Sequence, residues 1–297
     1  MTQRVAITGS SGLIGTALIE HLTSRGDEVV RLVRRSPGAP GEVQWDPANG
    51  QLDVADLAGV TAVVNLAGAG IGDHRWTDAY KRTITESRVS STSTVVRALT
   101  SMSDPVRLLS ASGMSYYGER GDDVVDEGGA PGDSFLGDVT QLWEGATAPA
   151  EAAGHPTCFL RTSLVLDAHE GSMKQVMRLA KLGLGGPLGS GKQWWSWIAL
   201  PDQVRAIAHL IDHPEVTGPV NMASPDPARQ ADFMKALGAE LHRPAILPAP
   251  SIALKLALGE FSSEILTSLR LAPTVLEHSG FTWDHPTLTD VAAWLSR

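Results

Sequence analysis

"ITGSSGLIG", Ile7–Gly15, decides the fold. It is entered from a short β-branched, apolar run and left through "GLIGTALIEHLTSRG". In that segment Leu13, Ala17, Leu18 and Leu22 fall on one helical face, and Gly26 stops the helix. A glycine-rich turn between a first strand and a first helix is a phosphate-binding arrangement. Gly9 makes the tight turn, Gly12 lets a diphosphate approach the backbone, and Gly15 lets the helix pack close to the sheet. The diphosphate then rests on unpaired N–H groups at the positive end of the helix. Ser11, Leu13 and Ile14 share the turn and complete this set of cofactor candidates.

Outward from the turn the pattern repeats. "DEVVRLVRR", "GEVQWD", "TAVVNLAG", "VRLLSASG" and "PTCFLRTSLVL" read as buried strands, separated by "DAYKRTITESRVSSTSTVVRALTSM" and "DVTQLWEGATAPAEAAG" as helices. Strands alternating with helices predict an α/β, doubly wound, mostly parallel Rossmann sheet covered on both faces. After Leu166 the texture turns helical and rich in Pro and Leu. The expected organisation is a dinucleotide-binding domain over 1–166, with 202–224 returning to it. Residues 167–201 and 225–297 form a smaller, mostly helical domain on the substrate side.

Composition bounds the rest. Of 297 residues, 42% are hydrophobic and 19% charged, which allows a sizeable core and argues against disorder. A net charge of -9 counts against nonspecific nucleic-acid binding. The single Cys158 rules out an intramolecular disulfide framework and a cysteine-rich zinc site, and no metal is expected. No stretch approaches the roughly 20 apolar residues of a membrane span, and "MTQRVAITG" has no apolar run of signal-peptide length, so no signal peptide is expected. The expectation is a soluble cytoplasmic protein, monomer or homodimer, whose partner is a small molecule rather than nucleic acid or membrane.

Cofactor choice is read at the end of the second strand. An NAD enzyme usually has a carboxylate there; this chain has Val33, Arg34 and Arg35, and a guanidinium can clamp a 2′-phosphate. NADP(H) is therefore expected, although two solvated surface charges would look the same. The G-x-x-G-x-x-G spacing, with "NLAG", resembles the short-chain dehydrogenase/reductase superfamily, which implies adenine contact for Trp45 and Asp46 at the end of the third strand, where a tryptophan suits the core as well. Leu66, Ala67 and Gly68, ending the fourth, are candidates beside the cofactor.

Within that superfamily the resemblance is to its extended and atypical members. "SASGMSYYG", "GDSFL…WE", "LGLGGPLGSGKQWWSWI", "GPVNMASP", "RPAILPAP" and "SGFTW" together resemble one atypical subgroup, the SDR39U1-like or YfcH-like epimerase family, whose C-terminal domain has no assigned function. The resemblance covers nearly the whole chain. It implies an oxidoreductase or a nucleoside-diphosphate-sugar-epimerase-like enzyme on a small polar substrate, a nucleotide-sugar or other polar carbonyl compound. The superfamily's Tyr-x-x-x-Lys pair is missing: Phe135 stands at the Tyr position and Val139 at the Lys position. Ala199 stands where the subgroup commonly has His. The remaining candidates for catalysis are Ser112, Tyr117 and Tyr116 after the fifth strand, and Arg88 on the helix before it. Arg161, ending the sixth strand, is a further cofactor candidate. Without the pair, a non-catalytic NADPH-binding sensor is the alternative.

A second glycine stretch, "GPLGSGK" at Gly186–Lys192, has the G-x-x-x-x-G-K of a phosphate-cradling Walker loop. Gln193 replaces the Ser or Thr that would hold Mg²⁺. A helix precedes it and the strand-like "WWSWI" follows, the reverse of what that loop needs. It is expected to be a turn into the second domain. Trp194, Trp195 and Trp197 then lie either by the cofactor or between the domains.

Overall fold

The computed structural model describes residues 2–171 and 173–297. The chain runs β1 (Arg4–Thr8), α1 (Leu13–Ser24), β2 (Glu28–Val33), β3 (Glu42–Gln44), β4 (Ala62–Asn65), α2 (Asp78–Thr100) and β5 (Arg107–Gly113). A short β6 (Val124–Val125) precedes α3 (Phe135–Gly145), α4 (Ala148–Ala152), β7 (Thr157–Thr162) and β8 (Leu164–Leu166). Next come α5 (Met173–Lys181), β9 (Trp194–Trp195), β10 (Trp197–Ala199), α6 (Leu200–Asp212) and β11 (Gly218–Met222). The remainder is β12 (Ala228–Arg229), α7 (Gln230–Glu240), α8 (Ser251–Leu258), α9 (Ser262–Leu266), β13 (Arg270–Leu271), α10 (Thr274–His278) and α11 (Leu288–Leu295).

Seven strands pair in the order β11-β7-β5-β4-β1-β2-β3, every pair parallel. Parallel strands covered on both faces are apolar on both sides, and Val5, Ala6, Ile7, Val63 and Val64 are fully enclosed. Helices α1 and α6 fill one face through Leu18, Leu22, Val204, Ile207 and Leu210. Helix α2 fills the other through Val95, Val96 and Leu99. The order reverses between β1 and β4, so the C-terminal ends of these strands open the crevice where doubly wound sheets take ligands.

Two expected elements divide. The segment "DVTQLWEGATAPAEAAG" is two helices, because Pro149 opens a new first turn rather than continuing the old one. The strand "PTCFLRTSLVL" breaks at Ser163, whose N–H and hydroxyl both donate to the Met222 carbonyl. Beyond it, β8 leaves the main sheet and pairs with β10.

A third core joins α5, β9, β10, α7 and α11 around Met173, Met177, Trp195, Trp197, Phe233 and Leu237. It is tied to the sheet layer through Asp202, a fully buried carboxylate on α6. Asp202 accepts the N–H groups of Asp284 and His285 and pairs with Arg205. Asp202→Ala leaves those donors and that cation unmatched. It should cost about 3–5 kcal/mol in urea denaturation, and an unchanged midpoint would show that the C-terminal segment is held by packing alone.

Candidate functional site

The glycine turn is built as its spacing requires. Gly9 has a φ of +63°, and a Cβ there would stand 2.8 Å from the Leu66 carbonyl. A Cβ on Gly15 would stand 2.3 Å from the Gly9 oxygen, so the first turn of α1 lies directly on the loop. Gly12 and Ser11 are exposed, and Leu13 and Ile14 are half-buried behind them. Gly12 is the N-cap of α1, and no side chain caps that end. A twelve-residue helix thus presents uncapped N–H groups at the mouth of the crevice. Among the described residues no side chain caps this end, which leaves a cradle of the kind that binds anions.

Behind the cradle, Thr8 Oγ1 accepts from the N–H groups of Leu66 (3.0 Å) and Ala67 (3.1 Å) and donates to Asn65 Oδ1 (2.7 Å). Asn65 donates to Thr92 Oγ1, which also accepts from Trp143 Nε1. This polar chain fixes the Leu66–Gly68 loop against β1. Arg88 closes the loop from α2. Its Nη1 donates to the carbonyls of Ala69 and Ile84, and its guanidinium lies 5.0 Å from the Trp143 ring. Burial lowers its pKa to about 10, and no carboxylate pairs with it among the described residues.

The two arginines at the end of β2 part ways. Arg35 forks onto Glu42 at 2.7 and 2.6 Å, where Gly38 N–H also donates and Arg31 stands at 3.3 Å. Arg35, expected to serve the cofactor, is thus shared with Glu42, while its side chain stays 58% exposed and its Nε has no partner among the described residues. Arg34 is exposed and makes no ion pair or side-chain hydrogen bond among the described residues. Trp45, expected against adenine, is 3% exposed and packed into the α2-side core. Asp46 closes its own turn, accepting from Ala48 N–H and from the backbone and side chain of Asn49.

Of the expected catalytic groups, Ser112, Tyr116 and Tyr117 lie together at the end of β5 in a closed network, and Arg88 stands apart on α2. Tyr117 is fully buried; its hydroxyl donates to Asn221 Oδ1 (2.7 Å) and accepts from Arg161 (3.0 Å). Burial pushes its pKa up to about 12. The role of proton donor expected of Tyr117 is corrected: the phenol faces the interior and both of its partners are protein. Arg161 is a fork on Glu144, two bonds of 2.9 Å, rather than a cofactor ligand. Burial lowers its pKa, and Glu144 and Tyr117 more than offset this, so it stays charged. Ser112 donates to the same Glu144 oxygen at 2.7 Å. The Tyr116 ring covers Arg161 at 3.5 Å. Glu144, the hub, was not among the sequence candidates; its sequence signal was the "WE" of the family resemblance.

The register of α3 also differs from the expected alignment. Phe135 and Val139 turn toward α2, into the cluster with Trp76 and Ile84. Leu136 joins them there, and the face toward β5 carries Gly137, Thr140 and Glu144, with Thr140 packed on Gly113. A helix repeats every 3.6 residues, so a one-residue alignment error rotates the face. On either register the helix presents no Tyr and no Lys to the strand end.

The second glycine stretch is a turn between α5 and β9, with Gly189 and Gly191 at positive φ. Trp195 and Trp197 are buried in the third core, away from the glycine cradle. Trp194 lies between the guanidinium groups of Arg229 (4.2 Å) and Arg270 (4.4 Å). Lys192 is exposed. His209 and His213 form an H-x-x-x-H pair on α6 that the expectation of no metal passed over; their rings stack at 3.9 Å. No group of three or more potential metal ligands occurs among the described residues, nor any helix long and apolar enough to cross a membrane.

With this geometry in view, comparison with known proteins decides the family. Residues 5–223 match the model of the NAD dependent epimerase/dehydratase family. The chain belongs to that family. Residues 249–295 match a domain of unknown function, DUF1731. The chain is 40% identical to the Epimerase family protein Mb2239 of Mycobacterium bovis, over 98% of this chain and 96% of that one. It is similar to the crystal structure of human epimerase family protein SDR39U1 with NADPH: 30% identity, TM-score 0.91, 99% of both chains. It also resembles a nucleoside-diphosphate sugar epimerase from Corynebacterium glutamicum: 35% identity, TM-score 0.80, 99% of this chain and 57% of that one.

Two outcomes follow for this epimerase-family chain. Arg35 holds the Glu42 carboxyl at about 2, below its ordinary 4.5. A depressed folded-state pKa stabilises above the unfolded value and is lost as pH falls through the folded one. Between pH 4.5 and 2 the thermal midpoint of the native chain should therefore fall more steeply than that of Glu42→Gln; parallel curves would show the fork to be energetically idle. At the second glycine stretch, Lys192→Ala should leave NADPH affinity unchanged. A magnesium-dependent ATPase activity abolished by that substitution would overturn the reading of Gly186–Lys192 as a turn.

Proposed function

We propose that this epimerase-family chain binds NADP(H) across the α1 cradle and reduces a carbonyl on a small polar substrate. The observation that carries the reading is the uncapped N-terminus of α1 behind Gly9 and Gly12, in a fold shared with a human relative solved with NADPH. The N–H groups of Leu13, Ile14 and Gly15 would hold the diphosphate. Leu66, Ala67 and Gly68 would line the ribose side, held by Thr8. Arg34 would clamp the 2′-phosphate, since Arg35 is committed to Glu42. When bound, the reduced nicotinamide supplies hydride to a carbonyl carbon. Ser112, polarised toward Glu144, and the covered Arg161 shape the strand end on which the substrate would sit.

A second reading has its own support. Tyr117 is sealed, and α3 offers no Tyr or Lys, so the superfamily's usual proton path is missing. A chain that binds NADPH and turns over little would act as a sensor of the cofactor.

Calorimetric titration separates cofactor choice from both. NADPH should bind more tightly than NADH. Arg34→Ala should weaken NADPH alone by about 1.5–3 kcal/mol, a charge-assisted contact, and leave NADH as before. Equal affinity of the unmutated chain for the two would remove Arg34 from the site.

A further inference from the structure

Two arginines buried against the sheet find their acceptors within the chain. Arg107 donates to the carbonyls of Leu210, Pro214 and Val216 and to Cys158 Sγ. Arg161 is spent on Glu144, Tyr117 and the Glu127 carbonyl. Arg88 differs from both. Its Nη1 donates to the carbonyls of Ala69 (3.0 Å) and Ile84 (3.1 Å), while Nε and Nη2 have no hydrogen-bond partner among the described residues. Neither of these two nitrogens is shut off from solvent. Three N–H groups of the guanidinium are therefore open. Nε and Nη2 share one edge, the edge through which Arg161 grips Glu144 with two bonds of 2.9 Å. Such an edge matches the paired oxygens of a carboxylate or phosphate.

The position of Arg88 ties it to the ligand crevice. A Cβ at Gly68 would stand 3.2 Å from Arg88 Cγ and Cζ, so the side chain lies directly on the loop that ends β4. Two residues earlier in that loop, the Leu66 carbonyl lies 2.8 Å from where a Cβ of Gly9 would stand. Two residues span at most about 7 Å, so Arg88 and the glycine cradle flank one short loop at the switch point of the sheet. The guanidinium is held in place by the Ala69 and Ile84 carbonyls and lies 5.0 Å from the Trp143 ring. The loop is pinned in turn, since the Ala69 N–H donates to Ser87 Oγ. Burial without a carboxylate partner costs stability and draws the Arg88 pKa down to about 10. Tying down the Ala69 carbonyl needs only one nitrogen, and the second edge has no structural task among the described residues.

We propose that Arg88 is an oxyanion-binding site of the crevice, and that its Nε–Nη2 edge takes a carboxylate or phosphate of the small molecule that lies beside the dinucleotide. The dinucleotide's own diphosphate has the uncapped N–H groups of α1, which leaves Arg88 to the second ligand. A planar fork fixes the orientation of such a group as well as its position. It also discriminates against neutral analogues, which would leave the guanidinium desolvated and unpaired. The inference goes beyond the reading above. It requires NADP(H) in the cradle and does not require that anything be reduced, so it applies to a reductase and to a sensor alike.

The test uses the full chain saturated with NADPH, which fills the α1 cradle. Malonate and inorganic phosphate are titrated by calorimetry, with malonamide as the neutral control. The loaded native chain should take up malonate or phosphate at one site and ignore malonamide. Arg88→Gln should weaken that uptake roughly 10–100-fold, as for a charge-assisted fork, with NADPH affinity unchanged. Arg88→Lys keeps the charge without the fork and should lie between the two. If the Gln variant does not fold, native anion affinity in the Lys variant overturns the proposal. No uptake by the native chain, or equal uptake by the native and Gln chains, overturns it as well. An NADPH affinity that falls in Arg88→Gln, while the loaded native chain takes up neither anion, assigns Arg88 to the dinucleotide and also overturns it. A chain that binds malonate through Arg88 and reduces no carbonyl compound upholds the site and counts only against the reductase reading.

Discussion

A buried guanidinium–carboxylate fork, Arg161 on Glu144, governs how the functional end of the sheet is arranged. It draws together the end of β7, the C-terminal half of α3, Ser112 on β5 and the tyrosine turn that follows. Burying two charges costs more than their attraction returns unless every remaining donor is met. Here four of the five guanidinium N–H groups are met: two by Glu144, which also accepts from Ser112, and two by Tyr117 and the Glu127 carbonyl. Tyr116 then covers the guanidinium. The polar groups nearest the crevice are spent on one another, and this makes the strand end rigid.

That constraint separates the parts of the site that could be read from residues from those that could not. The glycine turn was legible because its chemistry is local. Gly9 needs a positive φ, Gly15 needs contact with Gly9, and both demands lie within nine residues. The sheet was legible for the same reason, through the runs of apolar strand residues between helices. Arg34 and Arg35 were indistinguishable in sequence. They differ because Glu42, seven residues beyond Arg35, reaches across from the adjacent strand and takes one of them. The sequence left Trp45 open between adenine and core and misplaced Tyr117, because burial is a property of packing. Nothing in "QWDP" or "SYYGE" says which aromatic turns inward.

Glu144 and Glu264 show the limit more sharply. Ser112 and Glu144 are 32 residues apart, and Ser115 and Glu264 are 149 apart. Sequence spacing carries no trace of either contact. The first could have been suspected from the position of Glu144 on α3, two turns after the residues aligned with the missing pair. The second depends on how the C-terminal helices dock, which periodicity within those helices does not state.

The loss of a Tyr and a Lys from α3 has a consequence for the whole crevice wall. A Tyr-x-x-x-Lys helix must present a phenol and an ammonium to the strand end, and the ammonium is what lowers the phenol pKa. Here the same face carries Gly137 and Thr140, with the Thr140 hydroxyl donating back to the Gly137 carbonyl. No cation on this helix is left to depress the pKa of any acid nearby. Arg161, the cation that ends β7, is neutralised by Glu144 and screened by Tyr116. Any acid working at this end must then owe its proton to desolvation, which raises a carboxyl pKa, rather than to a nearby positive charge, which would lower it. Burial moves a phenol further out of range, as Tyr117 near 12 shows, and moves a carboxylic acid toward neutrality. With no cation on α3 to oppose it, burial acts on both acids in the same direction, raising Tyr117 and Glu264 alike.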